Sequence, residues 1–280
     1  MSSRPSARIT LGEAAERLGV HYMTAYRYVR TGRLPATREG VQWMVDPRDL
    51  IKLPTSAPPG RGRGGARATR PATLAARMVA GDEAGAWSVI EAALASGTDP
   101  ADVHLDILVP ALESIGNGWE AGTLSVADEH RATTVAQRLI GRLGPRFARR
   151  GRKRGAVVLG AAPGELHSLP TAIVGDLLRG AGFEVLDIGA NTPAESFAET
   201  ALGVQRLVAV AIGATTEGRD RAVRSAVRAL RQAGVSAPVL VGGAAITGEA
   251  HAARLGADAW SGLDGRSVIT AVERVATPSA

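Results

Sequence analysis

The chain has 280 residues, 45% of them hydrophobic and 4% aromatic, too long for one ordinary core and suited to two or three modest domains. It has no cysteine, which excludes disulfides, thiolate metal sites and cysteine nucleophiles together. No apolar run reaches membrane-spanning length and residues 1–8 lack the apolar core of a signal peptide, so a cytoplasmic protein with no membrane partner is expected. The net charge of +6 is unevenly placed: residues 1–72 carry 13 basic and 5 acidic side chains, net +8, and residues 73–280 carry 20 and 22, net −2. A polyanion-binding head on a sensing or catalytic body has this distribution; so does an Arg-rich, solubilising N-terminus.

Thr10-Leu11-Gly12-Glu13 has the form of a capping box and starts a helix. Ala14, Ala15, Leu18 and Val20 give it an apolar face, Gly19 breaks it, and residues 21–30 offer a second helix after a short turn, which is helix-turn-helix spacing. Residues 37–45 read as a hairpin with Glu39-Gly40 at its tip, and Asp46-Pro47 opens a short helix reaching residues 50–53. Residues 1–54 therefore predict a winged helix-turn-helix. The stretch PTSAPPGRGRGGARATRP that follows has almost no large apolar side chain and reads as a basic linker over residues 55–72, with Arg61, Arg63, Arg67 and Arg70 available to phosphates.

Residues 73–150 have the apolar pattern of four helices, at 73–80, 83–94, 100–119 and 126–143, and predict an antiparallel four-helix bundle. Within it, Trp119 is followed by Glu129-His130; alone, these are a core Trp and a solvated pair. Residues 154–280 alternate strands at 156–160, 184–188, 207–212 and 239–241 with helices at 170–179, 193–202, 221–232, 248–255 and 267–275. That alternation predicts a doubly wound, flavodoxin/Rossmann-like parallel sheet with its ligand at the carboxyl edge. The fold class is thus multidomain α/β plus all-α. In the loop after the first strand, PGELHSLP, an imidazole (His167) can take a transition metal while a carboxylate two residues earlier (Glu165) accepts the other ring N–H. A His in such a loop also serves as a plain polar anchor.

The head, ITLGEAAERLGVHYMTAYRYVRTGRLPA, resembles the MerR and excisionase-like winged-helix group. The resemblance implies a duplex DNA operator as partner and a second helix in the major groove. His21, Tyr22, Thr24, Ala25, Tyr26 and Arg27 are then candidates for base or phosphate contact, and Arg30, Arg33, Arg38 and Gln42 for backbone contact. Tyr22, Tyr26 and Val29 share helical spacing, so at least one Tyr is expected to pack. The last segment resembles the cobalamin-binding domain of methionine synthase and the B12-dependent mutases, whose pattern is Asp-x-His-x-x-Gly, Ser-x-Leu and Gly-Gly. Here Glu165, His167 and Pro170 occupy the first element, Gly213 and Thr215 the second and Gly242-Gly243 the third, with 42 residues between Pro170 and Gly213 and 26 between Thr215 and Gly242. The resemblance implies that His167 is the lower cobalt ligand and that Gly242 and Gly243 line the pocket for the cofactor's nucleotide tail. Glu for Asp, Pro for Gly, and the absence of Ser and Leu from the second element depart from the pattern.

Taken in order, the three segments resemble the CarH-type B12-dependent photoreceptors. Trp119, Glu129 and His130 match the cap over the upper face of adenosylcobalamin in that family. This implies a non-enzymatic repressor that self-associates as a dimer or tetramer on DNA in darkness and lets go when light breaks the cobalt–carbon bond; methylcobalamin is the other cofactor form considered. Glu120 stands where the best-known members carry a His that ligates cobalt after photolysis. A carboxylate is a poorer partner for Co(III), leaving His130 or a packed His104 as substitutes. Two alternatives use the same residues: a corrinoid methyl carrier serving a methyltransferase, and a regulator that senses another small molecule.

Overall fold

The computed structural model describes residues 8–18, 25–26, 28–29, 34–39, 42–50, 64–262 and 264–276. The chain divides into two compact units, Met1–Gly65 and Ala66–Ala280. In the first, β1 (Ile9–Thr10), α1 (Leu11–Leu18), β2 (Ala36–Glu39), β3 (Gln42–Val45) and α2 (Pro47–Leu50) follow one another, with further helical backbone at residues 25–26 and 28–29. The capping box forms as expected: Thr10 N–H donates to the Glu13 carboxylate at 2.8 Å and Glu13 N–H to the Thr10 hydroxyl at 3.2 Å. The wing hairpin pairs Glu39 with Gln42, and the sheet gains β1 against β3, a two-residue strand too short to show a sequence period. Leu11, Ala14, Ala15, Ala25, Leu34 and Val45 form the buried core.

In the second unit α3 (Gly64–Ala80), α4 (Glu83–Ala95), α5 (Pro100–Val103), a π-helical turn (His104–Leu108), α6 (Val109–Glu120) and α7 (Val126–Leu143) make the bundle. Helix α3 starts well upstream of residue 73 and runs through Pro71, so the linker reading fails from Gly64 onward. The Ala- and Arg-rich stretch there is a good helix former, and the adjoining apolar turn extends it. Asp82, Asp99 and Ser125 cap the following helices with side-chain oxygens, and Ser125 with Asp128 completes a second capping box. Leu74, Met78, Ile90, Ile107, Leu108, Leu139 and Leu143 fill the bundle core, each burial stabilising by about 1.5–3 kcal/mol.

A parallel sheet follows, with β4 (Ala156–Ala161), β5 (Glu184–Asp187), β6 (Leu207–Gly213), β7 (Val239–Gly242) and β8 (Ala259–Trp260) in the order β5-β4-β6-β7-β8. Helices α8 (Leu169–Gly180), α9 (Ala194–Gly203), α10 (Asp220–Gln232), α11 (Glu249–Arg254) and α12 (Gly265–Ala276) cover its faces. Every residue of β4 is buried, as a strand walled by helices on both sides requires. Strand order reverses between β4 and β6, and ligands of doubly wound sheets bind outside the carboxyl ends of strands at such a point. The short edge strand β8 was not expected from the sequence.

The bundle is packed on the sheet domain through α8: Ile173 and Leu177 belong to the bundle core. At the same junction His104, which opens the π-turn, is wholly buried. Its Nε2 lies 3.0 Å from Asp176, and its ring stacks on Phe147 at 5.0 Å between centroids. Asp176 also accepts from Arg179 at 3.1 Å, and Arg266 of α12 reaches Asp102 at 2.6 Å. His104 is therefore a packed residue tying bundle to sheet. Among the described residues no helix is long and apolar enough to cross a membrane. Because His104→Ala opens a cavity and strips a buried carboxylate of one partner, we expect a loss of about 2–4 kcal/mol in urea unfolding; a loss under about 1 kcal/mol would show that the junction does not depend on it.

Candidate cofactor site

The loop after β4 turns at Gly164, whose φ of 78° suits glycine, and is pinned from the neighbouring loop: Gly164 N–H donates to the Asn191 side chain, and Asn191 N–H to the Glu165 carbonyl, both at 2.7 Å. This aims the Glu165 carboxylate inward, where it is 1% exposed. Five donors meet it. Thr215 and Thr216 N–H, just beyond β6, each reach Oε2 at 2.7 Å, while Oε1 accepts from His167 Nδ1 at 2.5 Å, His167 N–H at 3.1 Å and the Thr216 hydroxyl at 3.2 Å. Burial raises the carboxyl's pKa, but the Thr216 N–H, the His167 ring, the His167 N–H and the Thr215 N–H outweigh it and hold Glu165 at about 2 against an ordinary 4.5.

An ionised carboxylate only accepts, so His167 Nδ1 carries a proton, and in the neutral ring the lone pair is then on Nε2. The His167 side chain is 59% exposed, and its Nε2 has no hydrogen-bond partner among the described residues. A metal-ligating imidazole needs this state: tautomer fixed, ring oriented, basicity raised from behind. Among the described residues no group of three or more His, Cys, Asp or Glu is placed to hold a bare ion. A single oriented imidazole fits a metal that brings its own equatorial ligands, which is the character of a corrinoid.

The surroundings fit the same group. Leu166, beside His167, is 75% exposed, and on the bundle Trp119 and Val126 are 48% and 56% exposed. An exposed large apolar side chain beside His167 suits a site that a partly apolar ligand covers. Helices α7 and α8 run side by side in the same direction, with Gly144 against Asp176 and with Gln137 and Ile140 facing Leu169 and Ala172 across a cleft of about 300 Å³. At about 1.5 Å per residue, His130 lies about 10 Å further along α7, which carries it past the start of α8 toward the side of the His167 loop. There Glu129 accepts from the Thr133 hydroxyl at 2.8 Å, and His130 Nδ1 donates to the Val126 carbonyl at 2.8 Å, 3.0 Å from the Glu129 carboxylate. His130 thus also presents Nε2 outward. Trp119 and Glu120 close α6, both exposed.

Other expected site residues take different roles. Thr215 acts through its backbone on Glu165. Gly242 and Gly243 are demanded by the protein itself: a Cβ on Gly242 would sit 1.7 Å from Ser261 Oγ, and one on Gly243, at φ 102°, would sit 2.4 Å from the Ala214 carbonyl. At Gly213 a Cβ meets only ordinary contacts, Thr171 Cγ2 at 3.6 Å being nearest. Sequence reasoning left Thr216 outside its site set and missed Asn191 and Arg219, whose guanidinium lies over Gly164 with Nε buried and unpaired. The Asn-Thr-Pro turn at residues 191–193 was the one local signal for Asn191. Of the expected DNA-contacting residues, Arg38 and Gln42 are exposed on the wing, whereas Tyr26 packs on the head core edge-on to Trp43 at 6.4 Å. Tyr26 is half-buried there. His21, Tyr22, Thr24, Arg27, Arg30 and Arg33 lie outside the described residues.

Because Glu165 titrates near 2 when folded and near 4.5 when unfolded, its contribution is complete above about pH 4.5 and is lost as pH falls through about 2. Glu165→Gln should flatten the pH dependence of unfolding within that window and leave the slope above it unchanged. A wild-type and variant that track each other from about pH 4.5 to 2 would contradict the assignment.

Comparison with known proteins agrees with this geometry. Two family models described as B12 binding domain match residues 72–143 and 155–273, and one described as helix-turn-helix domain matches residues 9–53. Trimethylamine corrinoid protein 1 of Methanosarcina acetivorans is 30% identical over 201 residues, which are 69% of this chain and 89% of that one. A corrinoid protein of Desulfitobacterium hafniense is 27% identical over 192 residues, 66% of this chain and 87% of that one. The fold also matches the structure of Methanosarcina barkeri monomethylamine corrinoid protein, with TM-score 0.62 and 19% identity over 70% of this chain and 93% of that one. The residues at the carboxyl edge and the extent of these matches lead to one conclusion: the chain belongs to the B12-binding corrinoid protein family, with a helix-turn-helix domain at its N-terminus.

Proposed function

We propose that this protein is a cobalamin-dependent transcriptional regulator, a repressor that senses light, and not itself an enzyme. The observation that carries the reading is the presence in one chain of a helix-turn-helix domain and an oriented, lone-pair-bearing His167 at a corrinoid edge. His167 would hold cobalt from below, with Glu165 behind it. Trp119, Val126 and Leu166 would exclude water from the ring's apolar surface. Glu129 and His130 would stand over the upper face, where adenosylcobalamin is the form proposed. When bound, the cofactor supplies a cobalt–carbon bond that visible light breaks. The chain's part is to couple the occupancy of the upper face, through α7 and its packing on α8, to self-association and hence to grip on an operator.

Glu120 rather than His follows Trp119; with His104 packed in the bundle-to-sheet junction, His130 would be the imidazole on the bundle side that responds when the upper face empties. The relatives' names favour a second reading, a methyl carrier for a methyltransferase. A carrier has no use for a helix-turn-helix.

The test uses the full chain purified with adenosylcobalamin in darkness, with absorption, sizing and operator retention measured before and after illumination. The expected result is a larger species on the operator in darkness that changes spectrum, shrinks and releases DNA in light. An unchanged spectrum and size would sink the light-sensing reading, and DNA retention without sequence preference would favour the carrier. Glu165→Ala should weaken cobalamin retention by about 10- to 100-fold and His167→Ala by at least as much, both read by dialysis; retention untouched by His167→Ala would point to a different ligand.

A further inference from the structure

The charge of residues 73–280 is unevenly placed. Residues 146–154, RFARRGRKR, hold six cations and no carboxylate, while the other residues from 73 onward carry 14 basic and 22 acidic side chains, net −8. The run joins the bundle to β4 and enters the sheet at its amino edge. The His167 loop leaves β4 at the other end, about 20 Å away at about 3.3 Å per residue. A ligand on one edge therefore leaves the other open.

The run is held, not loose. Phe147 is buried on His104; Arg154 N–H donates to the Gly182 carbonyl at 3.0 Å, its guanidinium lies 4.7 Å over the Phe183 ring, and Lys153 Nζ donates to the Arg149 carbonyl at 2.6 Å. The stems of Arg149 and Arg154 converge on Gly182, where a Cβ would sit 4.0 Å and 3.4 Å from their Cδ atoms. Arg206, at φ 56° just before β6, adds another guanidinium on the Arg154 carbonyl at 3.4 Å. Against this cluster the described residues supply one ion pair, Arg154 with Glu273; Arg146, Arg149, Arg150 and Arg152 are exposed and form none. Like charges fixed side by side without counter-charges are costly unless an anion joins them.

We propose that residues 146–154 with Arg206 form a second polyanion surface, on the cofactor-binding body, that grips the phosphate backbone of duplex DNA. Arginine predominates, and its planar fork matches phosphate oxygens. No large apolar side chain is exposed in the run, so it lacks the anchor with which a membrane-surface segment inserts. The duplex is preferred as occupant because the same chain carries a helix-turn-helix. The proposal thus rests on the regulator reading for its partner, and it adds a sequence-independent contact made by the body.

The experiment compares full-length wild type with the triple variant Arg149→Gln, Arg150→Gln, Arg152→Gln and with its all-Lys counterpart, measuring affinity for an unrelated duplex by anisotropy across a salt series. The Gln variant is expected to have a log K against log salt slope shallower by about 2–3, since each phosphate contact contributes about 0.9, while the Lys variant keeps the slope. Both variants should retain cobalamin and unfold at the wild-type urea midpoint, which separates lost contact from lost fold. An unchanged slope in the Gln variant overturns the proposal, as does a slope change restored by neither charge nor fold. If the Gln variant loses binding to phosphatidylserine vesicles and not to DNA, the surface is a membrane contact and the proposal fails. Operator-over-random preference is scored separately. Its absence beside a charge-dependent slope defeats the regulator reading alone, and its presence beside an unchanged slope defeats this proposal alone.

Discussion

The cofactor site depends on a single buried anion. Glu165 sits at the point where the strand order reverses, and a carboxylate with 1% exposure is tolerable only if every lone pair is met. Thr215 and Thr216, at the end of the adjacent strand, meet one oxygen, and the His167 backbone and ring meet the other. The parallel pairing of β4 with β6, with Ala161 opposite Gly213, brings these loops level. The requirement to satisfy Glu165 thus fixes the tautomer of His167 and turns its free nitrogen outward. A solvated carboxylate would let the imidazole rotate and present either nitrogen.

The bundle takes its place from a separate constraint. Ile173 and Leu177 of the sheet domain lie in the bundle's own core, and His104 bridges to Asp176, so α7 is fixed in register along α8. That register carries Glu129 and His130 beyond the helix they pack beside. This end of α7 is positioned by apolar contact elsewhere along the helix, and its own polar groups are spent locally, Glu129 on Thr133 and His130 on Val126.

Much of this was legible in the residues. Capping boxes at Thr10 and Ser125 and positive-φ glycines at Gly81, Gly97 and Gly122 set helix boundaries, and α7 runs over the residues its apolar period predicted. The buried strands announced themselves as short apolar runs, and Glu165 with His167 is a local pair visible at a spacing of two. What escaped was non-local or too short. β1 and β8 have two residues each, and α3 extends through a Pro- and Gly-bearing stretch whose composition suggested a linker. Thr216, Asn191 and Arg219 reach the loop from other strands' ends, and no spacing rule along the chain pairs them with Glu165. Gly242 and Gly243 carried a cofactor expectation, whereas their immediate neighbours are Ser261 and Ala214.

The central claim is that the protein's own imidazole, through Nε2 of His167, holds the corrinoid metal. The most direct measurement is the electron paramagnetic resonance spectrum of the reduced, Co(II) form of the cobalamin-loaded full chain, made once with ordinary and once with heavy-nitrogen-labelled histidine. The account predicts that the nitrogen splitting of the cobalt lines changes from triplets to doublets on labelling and that His167→Ala abolishes this change. A splitting indifferent to labelled histidine would show that the nitrogen belongs to the cofactor, and would contradict the account.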